Sequence, residues 1–145
     1  MKAAPDNSLL HARELLKEAS LRCTTARIAV LRQLLAASSP VSHADVADVL
    51  EPEGFDRVTV YRNLVEFAEV GLANRVDLGD HTWRFELRRG KTSHAADHPH
   101  FICVDCGEVS CLPDVSINIK QSRGAKRAPL GDVTEIVLRG HCGCA

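Results

Sequence analysis

Two short stretches decide what this chain can fold into: HPHFICVDCG at 98–107 and HCGC at 141–144. Cys103 and Cys106, spaced C-x2-C, can grip one metal ion from a tight turn, and Gly107 behind them lets the backbone double back. His98 and His100 obey a different geometry. On a strand, residues two apart send both rings to the same face, ready for an ion on that side. Side by side, the two patterns call for two neighbouring metals rather than one.

Adding Cys142 and Cys144 to the knuckle makes a four-thiolate structural zinc site. Such a site staples a turn to a distant C-terminal strand in a small domain whose own core is thin. The competing reading, buried free cysteines, is disfavoured by the C-x2-C turn. The second pair is tighter, C-x-C with Gly143 between, so Cys111 could complete the set in place of Cys144. The favoured reading gives Cys111 to the second metal instead, because its strand would run back beside the one carrying His98 and His100. Glu86, at the end of a hairpin, is the fourth candidate ligand there. Two imidazoles, a thiolate and a carboxylate suit Zn2+ and are softer than a typical Fe2+ set. His81 reads as an exposed turn residue, and His11, His43 and His94 as isolated solvated or structural histidines.

Enzyme chemistries fit poorly. A zinc deaminase needs H-x-E with P-C-x-x-C, but HPH lacks the Glu and Ile102 precedes Cys103. CVDC lacks the βαβ setting of a thioredoxin-like motif, and no Ser-His-Asp set stands out. Cys23, at the start of a helix, reads as a packing residue. No apolar run approaches the ~20 residues that span a bilayer. The N-terminal MKAAPDNSLLHARELLKEAS has acids and a helical rhythm where a secretory signal would be uniformly apolar. The expected compartment is therefore the cytoplasm, where six cysteines in 145 residues point to metal before disulfide.

An apolar fraction of 45% is that of a folded protein, and the net charge of −1 argues against a general polyanion binder. Charge is nevertheless unevenly spread: Arg13, Lys17, Arg22, Arg27 and Arg32 face only Glu14 and Glu18 between Ser8 and Leu35. Helices are expected over 8–20, then from Thr24 as N-cap to a break at Pro40, then over 42–50 behind Ser42, then over 55–72 until Gly71. In the fourth, Val60, Leu64, Phe67 and Ala68 share the inner side, Thr59, Arg62, Glu66 and Glu69 the outer, with Tyr61 at the boundary. ANRVDL (73–78) and TWRFEL (82–87) form a hairpin around a GDH turn. Helices followed by a hairpin give a winged helix. Beyond a small polar hinge at 88–97, strands are expected at 100–104 and 108–112, a helix over 113–124 and a last strand over 132–140. The expected class is α+β: a winged-helix DNA-binding domain (1–87), the hinge, and a small α/β dimerisation and metal-binding domain (98–145).

TVYRNL (59–64), RFE (84–86), HPHFICVDCG and GHCGC, in this order, resemble the ferric uptake regulator family of metal-dependent bacterial repressors, from about Leu15 to Cys144. The resemblance implies a homodimer whose winged helices bind operator DNA and whose C-terminal domains pair through β-strands. It implies Cys103, Cys106, Cys142 and Cys144 as structural zinc ligands, and Glu86, His98 and His100 in a regulatory site. Tyr61 and Arg62 match the family's DNA-reading positions, with Thr59 beside them and Arg22 as its basic residue near the second helix. A tyrosine ring can pack on thymine methyls, and arginine can reach phosphate or guanine. Three positions depart from the pattern. Pro40 stands where many members have a regulatory histidine, with His43 three residues later. Cys111 holds the place of an acidic ligand, and Thr134 stands near that of a last-strand histidine.

The expectation is a metal-responsive repressor of metal-homeostasis genes, with structural Zn2+ and regulatory Zn2+ or Fe2+. Metal at Glu86, His98, His100 and Cys111 would set the spacing of two recognition helices on a palindromic operator. Two alternatives are a thiol and zinc redox switch using Cys103, Cys106 and Cys111, and a zinc-stapled DNA-binding protein without sensing.

Overall fold

Three helix starts in the first half, behind Thr24, Ser42 and Asp56, carry a side-chain cap. A computed structural model of the chain describes residues 7–88, 98–112, 114–120, 124 and 135–143, and it falls into two units, 1–89 and 90–145. In the first, α1 (Asn7–Glu18) is followed by α2 (Thr25–Ala36), where Thr24 Oγ1 accepts from the Arg27 N–H at 3.2 Å. A two-residue strand, β1 (Val41–Ser42), leads directly into α3 (His43–Leu50). Ser42 and Asp45 close a capping box there, each side chain accepting the other's backbone N–H, at 3.1 and 2.9 Å. The fourth helix, α4 (Arg57–Glu69), starts at Asp56, whose carboxylate accepts from the Thr59 N–H at 2.9 Å.

The fourth helix is shorter than the 55–72 expected, for local reasons at both ends. Asp56 takes the cap, and Gly71 adopts φ +78°. Leu72 N–H then bonds the Phe67 carbonyl at 2.8 Å and Gly71 N–H that of Ala68 at 3.2 Å, a Schellman closure. The hairpin follows as β2 (Ala73–Asp77) and β3 (Trp83–Leu87), paired antiparallel. Sequence reading missed β1, which pairs with β3 through Val41–Phe85 and Ser42–Arg84, giving the order β1-β3-β2. Two residues carry no periodicity to read. Leu16, Leu31, Leu50, Leu64, Phe67 and Phe85 are fully buried, so α1 to α4 and the central strand share one core.

The second unit is a three-stranded sheet: β4 (His100–Cys103), β5 (Val109–Cys111) and β6 (Val137–Gly140), in the order β5-β4-β6. β4 runs antiparallel to β5 and parallel to β6. Gly140 lets β6 approach closely, since a Cβ there would lie 3.1 Å from the Phe101 ring. The helix expected over 113–124 is not formed where it is described: residues 114–120 are irregular. Val115, Ile117 and Ile119 lie every second residue, stiff at χ1 and exposed, with no apolar stripe of helical period to bury. Part of that helix, the start of the expected last strand, Thr134, Cys144 and the hinge from 89 to 97 lie outside the described residues.

Candidate metal centres and the recognition helix

Two donor clusters form in the second unit. In the first, one ligand atom from each of Cys103, Cys106 and Cys142 lies within 4.8 Å of the others. Cys103 ends β4 and is buried; Cys106 closes the turn that follows, whose Gly107 takes φ +74° and bonds back to the Cys103 carbonyl at 2.9 Å. Cys142 arrives from the end of β6, which lies beside β4 with Cys103 opposite Gly140. The parallel pairing is what converts a remote C-terminal cysteine into a neighbour of the knuckle.

The donor set fits zinc. Two ligands held at ~2.3 Å on a tetrahedron stand about 3.8 Å apart, and the Cys106 and Cys142 sulfurs are 3.8 Å apart. Cys103, Cys106 and Cys142 are all free of disulfides. The Cys103 thiol is pulled down from 9.0 to about 6. The backbone N–H of Cys106 contributes most, and those of Cys142 and Asp105 add to it, outweighing the opposing effect of burial. A thiolate at neutral pH is the form a metal requires. Sequence reading missed a further contact: His141 Nδ1 lies 2.7 Å from Asp105 Oδ2, tying the two cysteine-bearing segments together beside the sulfurs. Their positions next to Cys106 and Cys142 were the available signal.

The second cluster stands on the other end of the same sheet. One ligand atom from each of His98, His100 and Cys111 lies within 4.8 Å of the others. His100 is 1% exposed, and its ring packs edge-on against that of His98 with centroids 4.9 Å apart. Two nitrogens and a sulfur are donors that zinc accepts readily. Cys111 therefore sits with the histidines and not with the other sulfurs, the arrangement favoured from the sequence. Glu86 lies half-buried on β3 of the first unit, opposite Asn74. His81 is exposed in the hairpin turn at φ +61°.

On α4, Val60, Asn63, Leu64 and Phe67 are buried, and this fixes which residues remain outside. Tyr61, 42% exposed, and Arg62 project from the opposite side, with Val58 one turn earlier. Thr59 is less available: its hydroxyl lies 2.7 Å from Asp56 Oδ2. Glu66, one turn after Arg62, receives two hydrogen bonds from Arg27 of α2, at 2.7 and 3.0 Å. That pairing keeps the carboxylate engaged away from Arg62. Arg22 is exposed just before α2.

Comparison with known proteins shows the family. The model of the "Ferric uptake regulator family" matches residues 18–133. The chain is 33% identical over 105 residues to the "Peroxide operon regulator" of Bacillus subtilis, covering 71% of this chain and 68% of that one. It is 28% identical over 96 residues to a "Peroxide-responsive repressor PerR" of Staphylococcus aureus, covering 65% of this chain and 61% of that one, less than two thirds of its length. Among solved structures, the ferric uptake regulator of Pseudomonas aeruginosa with manganese superposes with a TM-score of 0.61 at 29% identity, over 90% of this chain and 96% of that one. The chain belongs to the ferric uptake regulator family, whose members are metal-dependent or peroxide-dependent transcriptional regulators and not enzymes.

Proposed function

We propose that this chain is a zinc-responsive repressor that binds palindromic operator DNA as a homodimer in the cytoplasm. The observation that carries the choice of ion is the clustering of His98, His100 and Cys111. A thiolate in place of a carboxylate makes the site softer, favouring zinc over manganese or ferrous iron. Glu86 is the fourth ligand of this reading. It would tie the β-hairpin of the DNA-binding unit to the histidines, and so couple metal occupancy to the spacing of two recognition helices. Cys103, Cys106 and Cys142, with Cys144, would hold a second, structural zinc. Zinc supplies a redox-inert crosslink at such a site. Tyr61 and Arg62 would read the major groove, with Thr59 setting the helix start and Arg22 on phosphate. No helix among the described residues is long and apolar enough to cross a membrane.

The names of the curated relatives favour a second reading, a peroxide-responsive repressor; zinc being redox-inert, its regulatory ion would be a redox-active one such as iron. Elemental analysis separates the two, paired with operator binding in zinc, iron, manganese and nickel. The zinc reading expects one ion for each donor cluster, the regulatory one removed by a mild chelator with loss of operator binding and restored by zinc alone. A single tightly held zinc with operator affinity indifferent to added metal would overturn it. Restoration by iron, lost again on peroxide treatment, would establish the second reading.

A further inference from the structure

We propose that His43 is a positioning residue for operator reading: its ring, anchored on the Arg57 carbonyl, holds the Tyr61 side chain ready for the groove. This rests on the reading of Tyr61 as a base-contacting residue. His43 is the first residue of α3, directly after the Ser42 cap, so its backbone is fixed by the capping box. Its Nε2 lies 2.7 Å from the carbonyl oxygen of Arg57, in the first turn of α4. A carbonyl only accepts, so Nε2 carries the proton and donates it. By helix geometry the same oxygen accepts the N–H four residues on, which is that of Tyr61, and its second lone pair serves His43.

The side chains meet as well. The His43 and Tyr61 ring centroids are 5.3 Å apart at an interplanar angle of 63°, an edge-on packing within the preferred range for aromatic pairs. One imidazole from a neighbouring helix therefore touches both the backbone turn and the ring of Tyr61. The corner is clamped from the same side a second time, because the Arg57 guanidinium lies 2.8 Å from Asp48 and 3.1 Å from Glu51. Tyr61 remains 42% exposed and Val58 57% exposed, so the held ring keeps an open apolar edge. A ring already ordered by His43 loses less freedom when it meets a base than one that must be immobilised on contact.

The test uses the full-length, metal-loaded protein and two duplexes: one enriched by the wild type from a randomised library, and its scrambled counterpart. His43→Ala should weaken binding to the enriched duplex about three- to tenfold, the range an aromatic pair supplies. Affinity for the scrambled duplex, its salt dependence and the zinc content should not change. In a Tyr61→Ala background, His43→Ala should cost nothing more. Because the chain has one tyrosine, its ring-proton resonances report directly, and they should shift in the variant without DNA. His43→Gln, which keeps an N–H donor, serves where the alanine variant does not fold. The proposal is overturned if His43→Ala binds the enriched duplex like the wild type while Tyr61→Ala does not. It is equally overturned if the loss is undiminished in the Tyr61→Ala background, which would make His43 a contact in its own right. If Tyr61→Ala itself binds normally, the base-reading role of Tyr61 fails, and this inference fails with it.

Discussion

His100 pairs with Cys111 directly across the antiparallel β4–β5 ladder. Residues opposite each other in a ladder send their side chains to the same face, so the register itself delivers an imidazole and a thiol to one point. His98, two residues before His100, adds its ring at 4.9 Å. On the proposed reading, metal choice at this site would therefore turn on one residue whose backbone position does not depend on its side chain. Cys111→Asp should keep the sheet intact and lower zinc affinity on the order of tenfold or more relative to manganese. Competition titration with a chromophoric zinc chelator measures it, and an unchanged zinc-to-manganese ratio would show that Cys111 is not a ligand.

A zinc ion on the cysteine cluster would hold together a unit that offers little else to hold it. Among its described residues the buried apolar side chains are few, Cys103 itself being one. A structural zinc contributes about 10–16 kcal/mol of binding free energy at neutral pH, comparable to the ~5–15 kcal/mol total stability of a domain. Cys106→Ser should accordingly lose one zinc ion and collapse the β4–β6 resonances in an amide spectrum while those of α2 to α4 persist. Native dispersion throughout the β4–β6 strands after loss of that zinc would count against a structural role.

Acid should loosen the same cluster in a defined window. Folding lowers the Cys103 thiol from 9.0 to about 6. A group whose pKa is depressed by folding binds fewer protons in the folded state, so it stabilises that state increasingly as pH rises. In the metal-free protein its contribution is complete above pH 9.0 and is lost as pH falls through about 6. With zinc bound, protons compete for the sulfur in the acid part of that range. Thiolate absorbance of the chelated protein should titrate with one component near 6, absent in Cys103→Ser; a single transition near 9 in both would refute the lowered thiol.

The sequence was most informative where one residue type dictates one local geometry. Ser42, Thr24 and Asp56 announced or support helix starts through their side-chain oxygens, and H-x-H with C-x2-C marked where both donor clusters form. It was least informative where geometry comes from pairing partners. Val41 and Ser42 become a strand only because β3 offers an unpaired edge. Residue type alone placed Cys142 with Cys103 and Cys106, but the parallel register of β6 on β4 that brings it to Cys106 was not legible. The helix expected over 113–124 is not formed at 114–120, where β-branched residues at every second position outweighed the polar residues between them.

Ser42 serves two elements at once, as the last residue of β1 and the N-cap of α3. Ser42→Ala removes the acceptor for the Asp45 N–H, at 3.1 Å, from a buried position. The expected loss is about 1 kcal/mol, which for a unit of this size lowers the melting temperature by about 4–8 °C. Calorimetry checks it, and Ser42→Asp, which keeps the acceptor, should recover most of the difference. A melting temperature unmoved in Ser42→Ala would show that the cap does not bear on stability.

If α4 is the helix that meets DNA, as proposed, Arg27 governs the charge it presents without lying on it. Its guanidinium engages both oxygens of Glu66 from α2, and the two side chains are only 20% and 33% exposed, so the pair is partly shielded from water. Remove Arg27, and Glu66 finds a second arginine one turn back: Arg62, at the i,i−4 spacing that favours ion pairs. Arg62 would then face DNA with part of its charge engaged. Arg27→Ala should therefore weaken operator binding by about twofold per protomer, the size of one such surface pair, and about fourfold for a dimer. The double variant Arg27→Ala, Glu66→Gln removes the competing carboxylate and should restore binding. Recovery in the double variant identifies competition for Arg62, whereas an undiminished deficit would mean that Arg27 touches the phosphate backbone itself.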